Sequence, residues 1–232
     1  MGPERLTITI QAGRQVSALL LRPSDAWVCY VLAHGAGAGM THPSMEIVAI
    51  ALAERGIATL RYQFPFMEEG RKRPDPPSLA HASVRAAVAE AQRLAAGLPL
   101  IAGGRSFGGR MTSQAQALVP IPGVLGPAFL AFPLHPTKQP SRDRAKHLFG
   151  IQIPMLFLQG SRDALAALEH LQPLCDDLGA RATLKLLAEA DHSYHVPARS
   201  GRTDEQVRRE LLDAFAGWAQ EVLGNTRVIV AT

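Results

Sequence analysis

The sequence predicts an α/β fold: a mostly parallel sheet, helices on both faces, and an antiparallel hairpin at the N-terminal edge. Short apolar segments alternate with longer amphipathic ones along almost the whole chain, the pattern of strand–helix–strand units. Trp27 to Ala33 and Gly123 to Phe132 are near-continuous apolar runs, as strands buried on both faces require. Leu6 to Ile10 and Val16 to Leu21 are separated only by an Ala12-Gly13-Arg14 turn, which leaves them neighbours in an antiparallel ladder. With 232 residues, 47% hydrophobic and 19% charged, the chain can bury one sizeable core. A single domain over 1–232 is expected, with a flexible tail at 224–232.

After the hairpin and the Trp27–Ala33 strand comes a glycine-rich loop, His34-Gly35-Ala36-Gly37-Ala38-Gly39-Met40. His42 to Arg55 fits a helix, with Met45, Val48, Ala49 and Leu52 at helical spacing. Gly56 ends it, and Ile57 to Tyr62 forms the next strand. A long Pro-rich loop runs from Phe64 to about Pro77, followed by an amphipathic helix from Ser78 to Ala96 with Ser78 as its cap. Leu98 to Ala102 is a strand and Arg110 to Leu118 a helix. Asp143 to Phe149 makes a short helical turn, and Ile153 to Leu158 a strand. Ala164 to Leu178 is helical, Thr183 to Leu187 a strand, and Thr203 to Leu223 a long helix capped by Thr203. Arg227 to Ala231 suits an edge strand or a loose end.

Composition narrows the function classes. The net charge is +4, and the clearest basic cluster is Arg71-Lys72-Arg73, between Glu68-Glu69 and Pro74-Asp75-Pro76-Pro77. That setting reads as a solvated loop, so no nucleic-acid partner is expected. No apolar run reaches the roughly 18 residues of a membrane helix, and the start lacks a basic-then-apolar leader. No membrane partner and a cytoplasmic location are therefore expected. Cys29 and Cys175 stand outside redox and metal motifs and are expected as buried free thiols.

Chemistry enters at Gly104-Arg105-Ser106-Phe107-Gly108. A strand, then G-x-S-x-G, then a helix is the context of a nucleophile elbow, in which a strained turn lifts the serine hydroxyl above the sheet edge. The same residues also suit a Gly-rich turn whose serine caps the helix. A serine hydroxyl needs a base within hydrogen-bond reach and an acid to orient that base. Asp163 and His192 each follow a strand end, where functional loops of α/β sheets gather, and the chain order is Ser, Asp, His.

Each candidate has a rival. Asp163 could cap the following helix, Asp191 is an alternative acid, and His195 an alternative base. Asp191-His192-Ser193-Tyr194-His195 also suggests metal ligation, but no further ligand stands at a recognisable spacing, so no metal and no cofactor are expected. An oxyanion hole would draw on the backbone N–H of Phe107 and on Ala36, with Gly35 as second choice. No Lys-Ser/Thr follows that loop, which excludes a phosphate loop, and the dinucleotide fingerprint matches poorly.

Five segments together resemble the α/β-hydrolase superfamily, in particular its lidless, dienelactone-hydrolase-like serine hydrolases and the testis-expressed and chromatin-complex hydrolase-like group. They are Ala33-His-Gly-Ala-Gly-Ala-Gly39, Gly103-Gly-Arg-Ser-Phe-Gly-Gly-Arg110, Phe132-Pro-Leu-His-Pro136, Gly160-Ser-Arg-Asp163 and Ala190-Asp-His-Ser-Tyr194. The resemblance implies an α/β-hydrolase fold with Ser106 as nucleophile, Asp163 as acid and His192 as base. True dienelactone hydrolases carry a cysteine nucleophile, so Ser106 points to ordinary ester chemistry.

The expected function is a serine esterase or thioesterase acting on a small ester. Non-catalytic interaction modules and peptidases or acyltransferases with the same triad are the alternatives. No large cap fits between the elbow helix and the strand before Asp163, so a shallow, open pocket is expected. Met40, Phe64, Phe66, Phe132, Leu134 and His135 are its candidate substrate-binding walls. Arg105 and Arg110 suit structural ion pairs, or attraction of an anionic acyl group.

Overall fold

The computed structural model describes residues 2–230, with side chains through 224. Strands β1 (Glu4–Thr9) and β2 (Gln15–Leu21) form the hairpin. Then follow β3 (Val28–Ala33), α1 (Pro43–Ala53), β4 (Ile57–Tyr62), α2 (Pro65–Glu68) and α3 (Pro77–Leu94). The middle of the chain supplies β5 (Leu100–Arg105), α4 (Phe107–Leu118) and β6 (Val124–Leu130). It closes with β7 (Met155–Gly160), α5 (Leu168–Leu178), β8 (Ala182–Leu187) and α6 (Asp204–Val230).

The strands form one eight-stranded sheet in the order β1-β2-β4-β3-β5-β6-β7-β8. β2 is antiparallel to both β1 and β4, and all other pairings are parallel.

The two-residue period of β3 shows why both faces must be covered. Cys29, Val31 and Ala33 pack on one side with Ala80, Val84, Ala87 and Val88 of α3. Val28, Tyr30 and Leu32 pack on the other with Met45 and Leu52 of α1 and with Val207, Leu211, Phe215 and Trp218 of α6. Each large side chain so buried contributes about 1.5–3 kcal/mol. Farther along the sheet, Phe129 and Phe157 meet Leu171, Leu174 and Leu178 of α5. Cys29 and Cys175 are buried and unbridged, and burial pushes each thiol up to about 12. Among the described residues no helix is long and apolar enough to cross a membrane.

Several boundaries differ from expectation, each for a local reason. α3 starts at Pro77 with Pro76 in the cap position, not at a Ser78 cap. A proline in the first helical position has its φ preset and no N–H to satisfy. The expected loop after β4 contains the single turn α2, tied down where the Phe66 N–H donates to the Asp75 carboxylate at 2.9 Å. β5 runs on through both glycines to Arg105, and α4 begins at once at Phe107, not at Arg110. α5 starts at Leu168 and not Ala164, because Asp163 holds the intervening residues in a turn, accepting from the Leu165 N–H at 2.8 Å.

Thr203 does cap α6, reciprocally: the Gln206 N–H donates to Thr203 Oγ1 at 3.2 Å and the Thr203 N–H to Gln206 Oε1 at 2.9 Å. The backbone is helical to Val230, where the sequence left an edge strand and a loose end open over 227–231; Ala231 and Thr232 lie outside the described residues. In the basic loop, Arg71 pairs with Glu69 and Asp75, each at 2.7 Å.

Candidate active site

Ser106 is the single residue between β5 and α4, with φ 49° and ψ −112°. A non-glycine residue there stores strain on the order of 1–3 kcal/mol and persists only where its surroundings over-determine it. Here the Ser106 N–H donates to the Leu130 carbonyl at the end of β6 (2.9 Å), and the Ser106 carbonyl accepts the Arg110 N–H of α4 (3.1 Å).

The flanking glycines are dictated by contact. A Cβ on Gly104 would stand 2.4 Å from the Ala33 carbonyl oxygen, and one on Gly108 2.6 Å from that of His34. The elbow is therefore pressed against the C-terminal end of β3, where the glycine-rich loop begins.

His192 sits in the loop after β8. Its Nε2 lies 2.9 Å from Ser106 Oγ and its Nδ1 2.7 Å from Asp163 Oδ2. The Asp163 side chain is fully buried, while that of His192 is 26% exposed. The buried carboxylate is well supplied with donors: Oδ1 accepts the Leu165 N–H, and Oδ2 also accepts Gln159 Nε2 at 2.5 Å. Gln159 Oε1 in turn accepts the Phe132 N–H at 2.9 Å, so this one side chain links the ends of β6 and β7 beneath the acid. The expectations for the site leave Gln159 out. Its signal in the sequence is a polar residue closing an apolar strand, four residues before the aspartate.

The rivals lie elsewhere. Asp191 Oδ1 folds back to accept the Ser193 and His195 N–H groups, at 2.7 and 2.9 Å, and shapes the turn that presents His192. His195 Nδ1 instead meets Asp204 Oδ2 at 2.9 Å, with the imidazole 66% exposed.

The glycine-rich loop lies beside the elbow. A Cβ on Gly35 would reach ordinary contact distance of Ser106 Cβ, 3.9 Å, and Gly35 to Ala38 form a tight bridge. His34 sets the orientation of this turn. Its Nε2 accepts the Phe64 N–H at 2.9 Å, so the ring proton is on Nδ1, which donates to the Gly35 carbonyl at 2.7 Å. Burial depresses the His34 pKa to about 4, which keeps the ring neutral in this role. Because a trans peptide points its N–H opposite its carbonyl, the Ala36 N–H is directed away from the His34 ring. The Phe107 N–H heads α4, where helical geometry leaves it without an intrahelical acceptor.

The cleft over Ser106 has a volume of about 320 Å³ and is lined by Gly35 to Ala38, His42, Ser44, Met45, Arg105, His192 and Ser193. The expected apolar walls are not there. Phe64 and Phe66 form an aromatic cluster with His34 and Phe107 below the loop, and Phe132 packs on Phe129 and Phe157. Leu134 is in the core, and Met40 is buried, with its backbone N–H donating to Gln63 Oε1 at 2.9 Å and its carbonyl accepting from Arg61 Nη1 at 3.0 Å. His135 is buried with both ring nitrogens engaged by backbone, Nδ1 with the Pro136 carbonyl and Nε2 with the Ala167 N–H. These side chains turn inward because strand ends under an open cleft still belong to the core. Among the described residues Arg105 and Arg110 have no ion-pair partner. Arg105 lies over the Tyr194 ring at 5.9 Å and Arg110 over that of Phe107 at 6.0 Å.

A family model described as an alpha/beta hydrolase domain matches residues 26–220. Among solved structures the chain is similar to an alpha-beta serine hydrolase homologue from Coxiella burnetii, with TM-score 0.73, 20% identity, and coverage of 92% of this chain and 98% of that one. It is also similar to an α/β serine hydrolase without a lid from Xanthomonas campestris (TM-score 0.72, 19% identity, 94% and 95% covered). A third is a dienelactone hydrolase from Anabaena variabilis (TM-score 0.73, 20% identity, 97% and 99% covered). At these identities the likeness is one of fold: an eight-stranded α/β-hydrolase sheet without a large cap.

Proposed function

The chain belongs to the alpha/beta hydrolase domain family, and we propose that it is a serine hydrolase cleaving a small ester or thioester through an acyl-enzyme on Ser106. The observation that carries this is the continuous line of hydrogen bonds from Asp163 through His192 to the hydroxyl of Ser106.

In this reading Ser106 Oγ attacks the substrate carbonyl while its proton passes to His192 Nε2. Asp163 holds the imidazole in the tautomer with a proton on Nδ1 and stabilises the imidazolium that forms. The Phe107 and Ala36 N–H groups receive the negative oxygen of the tetrahedral intermediate. His192 then gives its proton to the departing alkoxide or thiolate. A water repeats the sequence in reverse, with His192 taking its proton and returning one to Ser106 Oγ. No cofactor enters the scheme.

Two features support catalysis over a passive fold. The strained Ser106 backbone costs stability, and nothing in simple helix capping requires it. Asp163, the expected alternative cap, does not cap α5; its carboxylate faces His192.

The test is a panel of p-nitrophenyl esters of increasing acyl length, with thioester and aminoacyl substrates beside them, on wild type and Ser106→Ala. Hydrolysis of an ester or thioester that disappears in Ser106→Ala is expected. Turnover that persists in the variant, or none on any substrate, contradicts the reading.

A further inference from the structure

Beside the Ser106 cleft lies a smaller pocket of about 140 Å³, whose walls include Ser44, Arg105, Ser193, Tyr194, Asp204 and Arg208. Ser44, Arg105 and Ser193 line both cavities, so the small pocket adjoins the cleft over Ser106. We propose that this side pocket selects substrates carrying a negatively charged group close to the scissile bond, held by Arg105 and Arg208; the proposal rests on the serine-hydrolase reading above.

The charges are arranged for an anion. Both arginines are partly buried; among the described residues Arg105 has no carboxylate partner, and Arg208 has none at ion-pair distance, although its charge helps hold the Asp204 carboxyl below its ordinary range. Arg105 lies over the Tyr194 ring, which is itself fixed by a hydrogen bond from its hydroxyl to the Leu158 carbonyl at 2.9 Å. The one acid on the wall, Asp204, has both oxygens engaged: Oδ2 meets His195 Nδ1 and Oδ1 accepts the Val196 N–H, each at 2.9 Å. Among the described residues no carboxylate lines the Ser106 cleft.

Two arginines on the walls of one small pocket attract a carboxylate, and guanidinium geometry lets each grip it bidentately. At roughly 30 Å³ per water-sized group, the pocket holds a carboxylate with one or two methylenes. Ser193 adds a hydroxyl on the wall shared with the cleft, whereas the Ser44 hydroxyl donates to His42 Nδ1 at 2.8 Å.

The experiment compares kcat/KM for mono-p-nitrophenyl glutarate and its neutral analogue p-nitrophenyl pentanoate. A second arm, 4-acetoxybenzoate against phenyl acetate, places the charge on the leaving group. Each ratio is measured in wild type, Arg105→Gln, Arg208→Gln and Arg105→Lys, with folding checked by circular dichroism. The expected result is a preference of about tenfold for the anionic ester in at least one arm, the scale of a charge-assisted hydrogen bond. That preference falls severalfold in each Gln variant, persists in part in Arg105→Lys, and weakens as salt rises from low to high. A ratio near one in both arms, or a preference unchanged in both Gln variants, overturns the side pocket and leaves the hydrolase reading standing. No turnover of any of the four esters, together with no reaction of Ser106 with a fluorophosphonate, overturns both.

Discussion

Gln159 Nε2 donates to Asp163 Oδ2, the same oxygen that faces His192 Nδ1, while its carbonyl end holds the Phe132 N–H. A neutral amide at the end of β7 thus fixes the acid's position without adding charge. Gln159→Leu leaves the carboxylate one donor short and orphans a buried N–H. The expected loss is about 2 kcal/mol of stability, read as a melting temperature lower by roughly 4–8 °C. Ester hydrolysis should fall about tenfold in kcat. Unchanged kcat would mean that Asp163 needs no such support.

The elbow glycines make a contrasting pair with a glycine elsewhere. Gly104→Ala places a methyl 2.4 Å from the Ala33 oxygen, and the expected cost is about 3 kcal/mol or more, seen as loss of soluble folded protein. Gly217, inside α6, has nothing within 4 Å of an added Cβ. Gly217→Ala should raise stability by about 0.5–1 kcal/mol through helix propensity alone. Thermal melts of the two variants check both signs.

The strand and helix alternation was legible because each element answers to a local rule: two-residue or 3.6-residue apolar periodicity, a glycine stop, a capping residue. The residues the structure brings together at the site were legible for a related reason. Ser106, Asp163 and His192 each stand at a strand end inside a short motif, and chain order limited the combinations. The cleft walls were not legible. Phe64, Phe66, Phe132 and Leu134 are apolar residues at strand ends, and only tertiary packing decides whether such a side chain turns outward or into the core. The role of Gln159 has half of its signal nearby, with Asp163 four residues on, but the Phe132 N–H that holds its other end belongs to a different segment, and only the fold brings it there.

Buried neutral imidazoles make stability depend on pH. Burial depresses His34 to about 4, and partial burial beside Arg110 depresses His147 to about 4 as well. The unfolded chain, with histidines near the ordinary 6.5, binds more protons than the folded one between those values. Stability is therefore greatest above pH 6.5 and declines as pH falls toward 4, by about 3 kcal/mol from His34 alone. Urea melts at pH 7.5, 5.5 and 4.5 measure the slope, and His147→Gln should flatten it. A stability independent of pH over this range would contradict the buried neutral assignment.

The two histidines of the Asp191–His195 turn should separate cleanly. His192→Ala is expected to lower kcat for an ester by roughly 10⁴-fold or more, the scale for loss of a base from such a unit. His195→Ala, whose ring faces Asp204 on the exposed side, should stay within about threefold of wild type. Equal losses in both variants would place the base elsewhere.

The central claim is that Ser106 is an activated nucleophile, and intact-protein mass spectrometry after treatment with a fluorophosphonate measures this directly. One adduct per chain, mapped to the Ser106 peptide, absent in Ser106→Ala and slowed in His192→Ala, is the expected result. Folded wild-type protein that remains unmodified, or that is modified equally in Ser106→Ala, would contradict it.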